Sequence, residues 1–426
     1  MKIAIVAEHA SARMGGEAVL PLHYFRILRQ RGHDVWLIVH ERTREELKSL
    51  FHNDARIIFT PDTPLIRLLW RMGRFLPQRL ANISTGYLMR TLTQRIQVKE
   101  ARRLVTEEGV GIVHQPMPVS PREPSMLYGL GAPVVIGPLN GGMEFPPAFR
   151  SRSSRLERYA VVAARAMTDV MNWLIPGKRH ASVVLVANER SRLALPADVR
   201  GKIIELSENG VDLSTWTTGA TAGSEARPGH TRFVFSGRLV DWKGVDLLLR
   251  AFARASTQAP MSLLIAGDGE ARGGLERLAG ELGLLSADEA AGAVHFAGWL
   301  GQEECADVLA ARDALVLPSL YECGGAVVLE AMALAKPVIA TEWGGPQDYL
   351  DAECGILVAP DSSEALVSGL EEALVRLASS PAVRQAMGQA AQRRVHAEFD
   401  WERKVDAMLA VYASALSEAD GRTARH

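Results

Sequence analysis

Glu322 and Glu330 stand eight residues apart around Cys323-Gly324-Gly325-Ala326, between an apolar strand-like run, Ala314–Leu317, and a helix expected from Val327 through Ala335. Glycines at such a place permit positive φ and close backbone approach, and a helix start offers unpaired N–H groups at the positive end of its dipole. That combination suits an anion. Two carboxylates beside an anion make sense if they hold another part of the same ligand, and sugar or ribose hydroxyls meet that need.

Two cations extend the pattern. In "FSGRLVDWKGVDLLL" Arg238 and Lys243 follow a strand-like run and precede an amphipathic one. Arginine offers a bidentate fork and lysine a point charge, a pairing suited to a diphosphate. Taken alone, the loop fits a solvated turn equally well; the acid pair downstream favours the ligand. Gly15 and Gly16, in "MGGEAVLPLHYF", could bring backbone against a phosphate, although a glycine pair more often marks a turn. Asn140 in "GPLNGGMEFPP" offers an amide to a polar ligand or simply shapes a loop, and "ENGVD" (208–212) reads foremost as an Asn-Gly turn. His114 ends an apolar run before prolines that bar a helix, which places it as donor or base at a strand's end, with a structural histidine as the ordinary alternative.

Other chemistries are discouraged. H-E-x-x-H, D-x-D, G-x-S-x-G, G-x-G-x-x-G and the phosphate-binding G-x-x-x-x-G-K-[ST] are all missing, so zinc hydrolysis, a serine elbow and dinucleotide binding lack their signatures. Three scattered cysteines give neither a disulfide framework nor a metal pair and favour a reducing compartment. The opening apolar run is too short for a signal peptide or span, so a cytoplasmic protein beginning at Met1 is expected.

The elements that must position these residues follow from alternation. Short β-branched runs at 3–7, 35–39, 56–59, 111–114, 134–136, 183–187 and 203–206 are separated by helical patterns. A second series runs through 232–236, 262–266, 294–297, 314–317, 337–340 and 355–358. Such alternation predicts parallel sheets with covering helices. The polar stretch 213–231 reads as a linker between domains 1–212 and 232–400, and a last helix from Trp401 can pack back on the first domain. Each chemistry-bearing loop falls at the carboxyl end of a strand, where open α/β sheets bind ligands.

Net charge hides a division. The chain carries −1 overall, but residues 1–212 hold 30 Lys+Arg against 20 Asp+Glu. A cationic half suits an anionic partner such as a membrane surface or phosphorylated acceptor; nucleic acid is not expected, because no nucleic-acid motif accompanies the charge. Residues 64–103 carry nine bases and one acid interleaved with Leu65, Ile66, Leu68, Leu69, Trp70 and Phe75, and residues 147–180 carry seven bases and two acids. These fit interfacial docking on the inner face of the cytoplasmic membrane, or ordinary helices turning an apolar stripe inward.

As a set, Arg238 with Lys243, "AGDGE" (266–270), "VHFAGWL" (294–300) and "PSLYECGGAVVLEAMALAKPVIATEWGGP" (318–346) resemble the retaining glycosyltransferases of family 4, glycosyl transferases group 1. The resemblance implies the GT-B fold: two Rossmann-like, doubly wound parallel-sheet domains facing a central cleft. It implies a nucleoside-diphosphate sugar as donor, a glycan or lipid-linked acceptor, and neither metal nor other cofactor. Arg238 and Lys243 would bind the diphosphate, Glu330 the ribose and Glu322 the transferred sugar. The backbone of Gly324, Gly325 and Ala326 would touch phosphate or sugar, that of Gly15 and Gly16 the diphosphate, and His114 would lie near the sugar. Two departures stand out: Cys323-Gly324-Gly325 replaces a frequent Gly-Phe-Gly, and Ala335 a frequent glycine. A nucleotide-sugar epimerase of the same fold and a donor-binding protein without catalysis are the alternatives; the intact Arg238, Lys243, Glu322 and Glu330 favour the transferase.

Overall fold

The computed structural model describes residues 1–14, 16–75, 85–152, 167–216, 229–286 and 290–423. All thirteen expected strands form, each within three residues of its expected bounds. Met1–Gly142, Leu156–Glu208 and Lys404–His426 make one compact unit; Met143–Arg155 and Asn209–Arg403 make another.

In the first unit β1 (Lys2–Val6), β2 (Asp34–His40), β3 (Ile57–Thr60), β4 (Ile112–Gln115), β5 (Val134–Leu139), β6 (Val183–Val186) and β7 (Lys202–Glu205) build one sheet in the order β3-β2-β1-β4-β5-β6-β7. Every pairing is parallel. Parallel strands are covered on both faces, so they read as continuous apolar runs, and β6 is buried throughout. The order reverses between β1 and β4.

The second unit repeats the plan with β8 (Thr231–Ser236), β9 (Met261–Ala266), β10 (Val294–Gly298), β11 (Ala314–Leu317), β12 (Val338–Thr341) and β13 (Gly355–Val358). Their order is β10-β9-β8-β11-β12-β13, again all parallel. Here the switch falls between β8 and β11. These are the two strands that lead into Arg238 and Glu322. Helix Val245–Ala255 buries Val245, Leu248, Leu249 and Phe252 on one face. Burial of each such side chain contributes about 1.5–3 kcal/mol, which anchors the loop that carries Lys243.

Three features correct or extend the sequence reading. The polar stretch 213–231 is not linker from its start: Trp216 is buried in the second unit's core, and its backbone N–H reaches the Asp212 carbonyl at 3.1 Å. Residues 217–228 lie outside the described residues. The last helix runs from Trp401 to Thr423 and buries Val405, Met408, Tyr412 and Ala415, the 3–4 spacing of a helix face laid on a core. The third is the segment Met143–Arg155, which follows β5 in sequence yet belongs to the second unit. Among the described residues no helix is long and apolar enough to cross a membrane.

Candidate active site

Lys243 closes the short turn Asp241–Lys243, and Gly244 then starts helix Val245–Ala255 with φ +67°. A Cβ on Gly244 would stand 2.2 Å from the Pro318 carbonyl oxygen, so only glycine lets this loop lie against the end of β11. The Leu320 N–H donates to the Trp242 carbonyl at 2.8 Å and joins the two loops. The consequence is an ion pair between Lys243 Nζ and Glu322 Oε2, with 16% and 15% of the side chains exposed. A mostly sheltered pair of this kind holds both groups in register.

Arg238 follows β8 and its guanidinium meets Glu270 Oε2 at 3.1 Å. Both side chains are largely exposed, so the contact is weak and exchangeable. Glu330 lies on helix Ala326–Ala333, which starts one residue before its expected bound and ends two before. Gly325 caps that helix in the left-handed region at φ +86°, and Ala326 is exposed. Glu330 is half-buried, and its carboxyl has no hydrogen-bond or ion-pair partner among the described residues; burial raises it to about 7. An unpaired sheltered carboxyl one turn into a helix, with cations on the neighbouring loop, can accept hydrogen bonds from ligand hydroxyls.

The glycines of "WGGP" gave no separate signal in sequence yet hold this loop. The Gly345 N–H donates to the Glu322 carbonyl at 2.8 Å, and a Cβ on Gly344 would meet that carbonyl at 2.2 Å. Glu270, quoted only as part of "AGDGE", is the partner of Arg238. Neither pairing is local in sequence.

Gly16 opens the turn Gly16–Val19 at φ +54°, ahead of helix Leu20–Gln30. Nothing lies within 4 Å of where its Cβ would be. Gly15 lies outside the described residues. Glu17 ties this loop to the one after β4 by accepting from the Val119 N–H at 2.9 Å.

His114 departs from the placement expected of it. It is fully buried, with Nε2 2.7 Å from the Gly137 carbonyl oxygen and Nδ1 2.7 Å from the Tyr412 hydroxyl. A carbonyl only accepts, so Nε2 carries the proton and Tyr412 donates to Nδ1. Both ring nitrogens are taken. Burial lowers the imidazole to about 4 and keeps it neutral. Asn140 is likewise committed: its amide nitrogen donates to Glu208 Oε1 inside a buried polar network with Asn188 and Ser191. The "ENGVD" turn is also a packed joint, because Asn209 Nδ2 donates to the Tyr349 hydroxyl at 2.9 Å. Among the described residues no group of three or more His, Cys, Asp or Glu is placed to hold a metal ion.

Two all-parallel sheets, each in its own unit, with a Lys–Glu pair above a glycine-capped helix at the second switch point, define the class: this is the GT-B fold of glycosyltransferases. Residues 222–394 match the family described as Glycosyl transferases group 1. Among relatives, glycogen synthase of Mycobacterium tuberculosis is 32% identical over 50% of this chain and 49% of that protein. A D-inositol 3-phosphate glycosyltransferase of Streptomyces griseus is 31% identical over 58% of this chain and 57% of that one. The lipopolysaccharide core biosynthesis glycosyltransferase LpsE of Rhizobium meliloti is 34% identical over 42% and 48%. The chain spans about half the length of the curated relatives it matches. Among solved structures, Anabaena Alr3699/HepE in complex with UDP and glucose superposes with TM-score 0.65 at 17% identity, covering 97% of this chain and 100% of that one. Sucrose-phosphate synthase from Thermosynechococcus elongatus gives TM-score 0.66 at 20% identity, covering 98% and 100%.

Proposed function

We propose that the protein is a retaining glycosyltransferase that moves a sugar from a nucleoside-diphosphate sugar to a glycan or lipid-linked acceptor, in the synthesis of cell-surface polysaccharide, lipopolysaccharide or glycolipid. The observation that carries this reading is the Lys243–Glu322 pair at the β8/β11 switch point, with Glu330 one helix turn beyond. Breaking an anomeric bond to a diphosphate develops negative charge on the leaving group and cationic character on the sugar. Lys243 and Arg238 would leave Glu322 and Glu270 to hold the diphosphate. The N–H groups at the start of helix Ala326–Ala333 would add to that stabilisation. Glu322, released from Lys243, would take the sugar hydroxyls and offset the positive ring, and Glu330 the ribose. The acceptor would then attack on the leaving-group face. A uridine nucleotide is the favoured donor base, because UDP is the nucleotide in the solved complex with Alr3699/HepE.

With two cations on the diphosphate, activity is expected to survive EDTA. The test is a panel of UDP-, GDP-, ADP- and dTDP-sugars, scored for donor turnover with and without EDTA, and for the anomeric configuration of any product. Inversion, or strict dependence on added Mg²⁺, would overturn the proposed chemistry.

Docking of the first unit on an anionic membrane surface belongs to the same reading. Helix Pro64–Gly73 buries only Ile66, while Leu65, Leu68, Trp70 and Met72 are each at least half exposed, and Phe75 just beyond it is 88% exposed. Arg67, Arg71 and Arg74 lie exposed among them. An exposed apolar face with interleaved bases fits the boundary of an anionic bilayer.

A further inference from the structure

The segment from Met143 to Phe149 follows β5 but packs in the second unit, where it reaches both flanks of Glu322. On one flank the rings of Phe145 and Tyr321 lie 5.4 Å apart, tilted by 39°. On the other, Trp343 Nε1 donates to the Glu144 carbonyl at 2.8 Å. Met143 Cε comes within 2.9 Å of where a Cβ on Gly344 would stand, and Gly344 is the residue whose backbone lies against the Glu322 carbonyl. Phe149 is buried in the unit's core and Phe145 packs against that core, so the segment is anchored rather than draped. Glu322 is thus gripped through its neighbour Tyr321 and through its own carbonyl, and the same short segment backs both grips.

We infer that Phe145 is a positioning residue for Glu322: it acts through Tyr321 and sets where the carboxylate presents itself to the sugar of the donor. The inference rests on the reading of Glu322 as the sugar-binding carboxylate. The nucleotide end would be held by Arg238, Lys243 and Glu330, which other elements carry. Loosening the Glu322 loop should therefore affect the sugar end and spare the nucleotide end. A displacement of about 1 Å at a group that orients a reacting centre costs up to roughly a hundredfold in rate.

The experiment compares the full-length protein with Phe145→Ala, Phe145→Leu and Phe145→Tyr, using UDP and UDP-glucose as probes. Phe145→Ala is expected to speed amide hydrogen exchange across 320–326, leave UDP affinity within about twofold, and lower UDP-glucose turnover by about tenfold or more. Phe145→Tyr, which keeps the ring, should restore turnover; Phe145→Leu should not. Unchanged exchange at 320–326, or parallel loss of UDP affinity and turnover in step with thermal stability, would overturn the inference. If the wild-type protein binds neither probe, the functional reading is what fails, and the exchange comparison still decides whether Phe145 holds the Glu322 loop.

Discussion

Glu322 and Lys243 neutralise each other before any ligand arrives, and this sets what their removal should do. Glu322→Gln and Lys243→Ala each delete a charge proposed to act mainly as the glycosidic bond breaks, at a cost of about 2–4 kcal/mol, or roughly a hundredfold or more in rate. Both variants should keep the wild-type circular dichroism spectrum, since neither residue belongs to the core; near-normal turnover would remove them from the site. Glu330 makes a different prediction. Its folded pKa of about 7 lies above the ordinary carboxylate value, so the folded state holds a proton that the unfolded state has released. The stability associated with that proton is full below the ordinary carboxylate range and is lost as pH rises through about 7. Glu330→Gln should therefore raise the melting temperature at pH 8 more than at pH 4. It should also remove any rise in donor affinity that the wild type shows as the carboxylate forms. Equal effects on melting at both pH values would show that Glu330 is not strained by burial.

At the scale of elements, one residue tests how the helix bearing Glu330 ends. Ala335 stands at φ +56°, where the Lys336 N–H reaches back to the Ala331 carbonyl at 2.9 Å, the pattern in which glycine is preferred. A Cβ in that region costs about 1–2 kcal/mol, partly offset by the greater freedom of glycine in the unfolded chain. Ala335→Gly should stabilise by about 0.5–1 kcal/mol, read as a higher urea midpoint with an unchanged slope. A lower midpoint would mean that the methyl group packs better than the backbone geometry suggests. The elements were legible in sequence wherever local pattern decided them: β11 and β13 have their expected bounds because covered parallel strands are unbroken apolar runs. The Arg238–Lys243 and Glu322–Glu330 loops were legible because type and spacing coincide at strand ends. His114 was not, because the end of a strand can face a ligand or a core. What covers it is Tyr412, on a helix 298 residues further along the chain. The clamp on Glu322 by Gly345 and Phe145 was illegible for the same reason, since close backbone approach between distant segments leaves no local spacing to read.

The whole chain is nearly neutral, yet residues 1–212 carry ten more basic than acidic side chains. That imbalance takes on a direction when set beside the surface of the first unit. Besides Leu65, Leu68, Trp70, Met72 and Phe75, the described part of the second basic segment leaves Met167, Val170, Trp173 and Leu174 exposed. Residues 76–84 and 153–166 of these two segments lie outside the described residues. A helix meant only to roof a sheet would turn its apolar side chains inward, and helix Pro64–Gly73 fully buries only Ile66. Apolar side chains entering the headgroup boundary gain about 25 cal/mol per Å² removed from water, and each base near an anionic surface adds about 1 kcal/mol. Both contributions would add to the proposed docking, and each has its own variant. Arg67→Glu, Arg71→Glu and Arg74→Glu together should abolish co-sedimentation with anionic vesicles and leave donor turnover in solution unchanged. Trp70→Ser with Phe75→Ser should weaken binding at every anionic content and leave its salt dependence intact. High salt should release the wild type in part, because screening removes the charge contribution but not the apolar one. Equal, negligible binding of the wild type to neutral and anionic vesicles at low salt would instead give these exposed side chains to a contact of another kind.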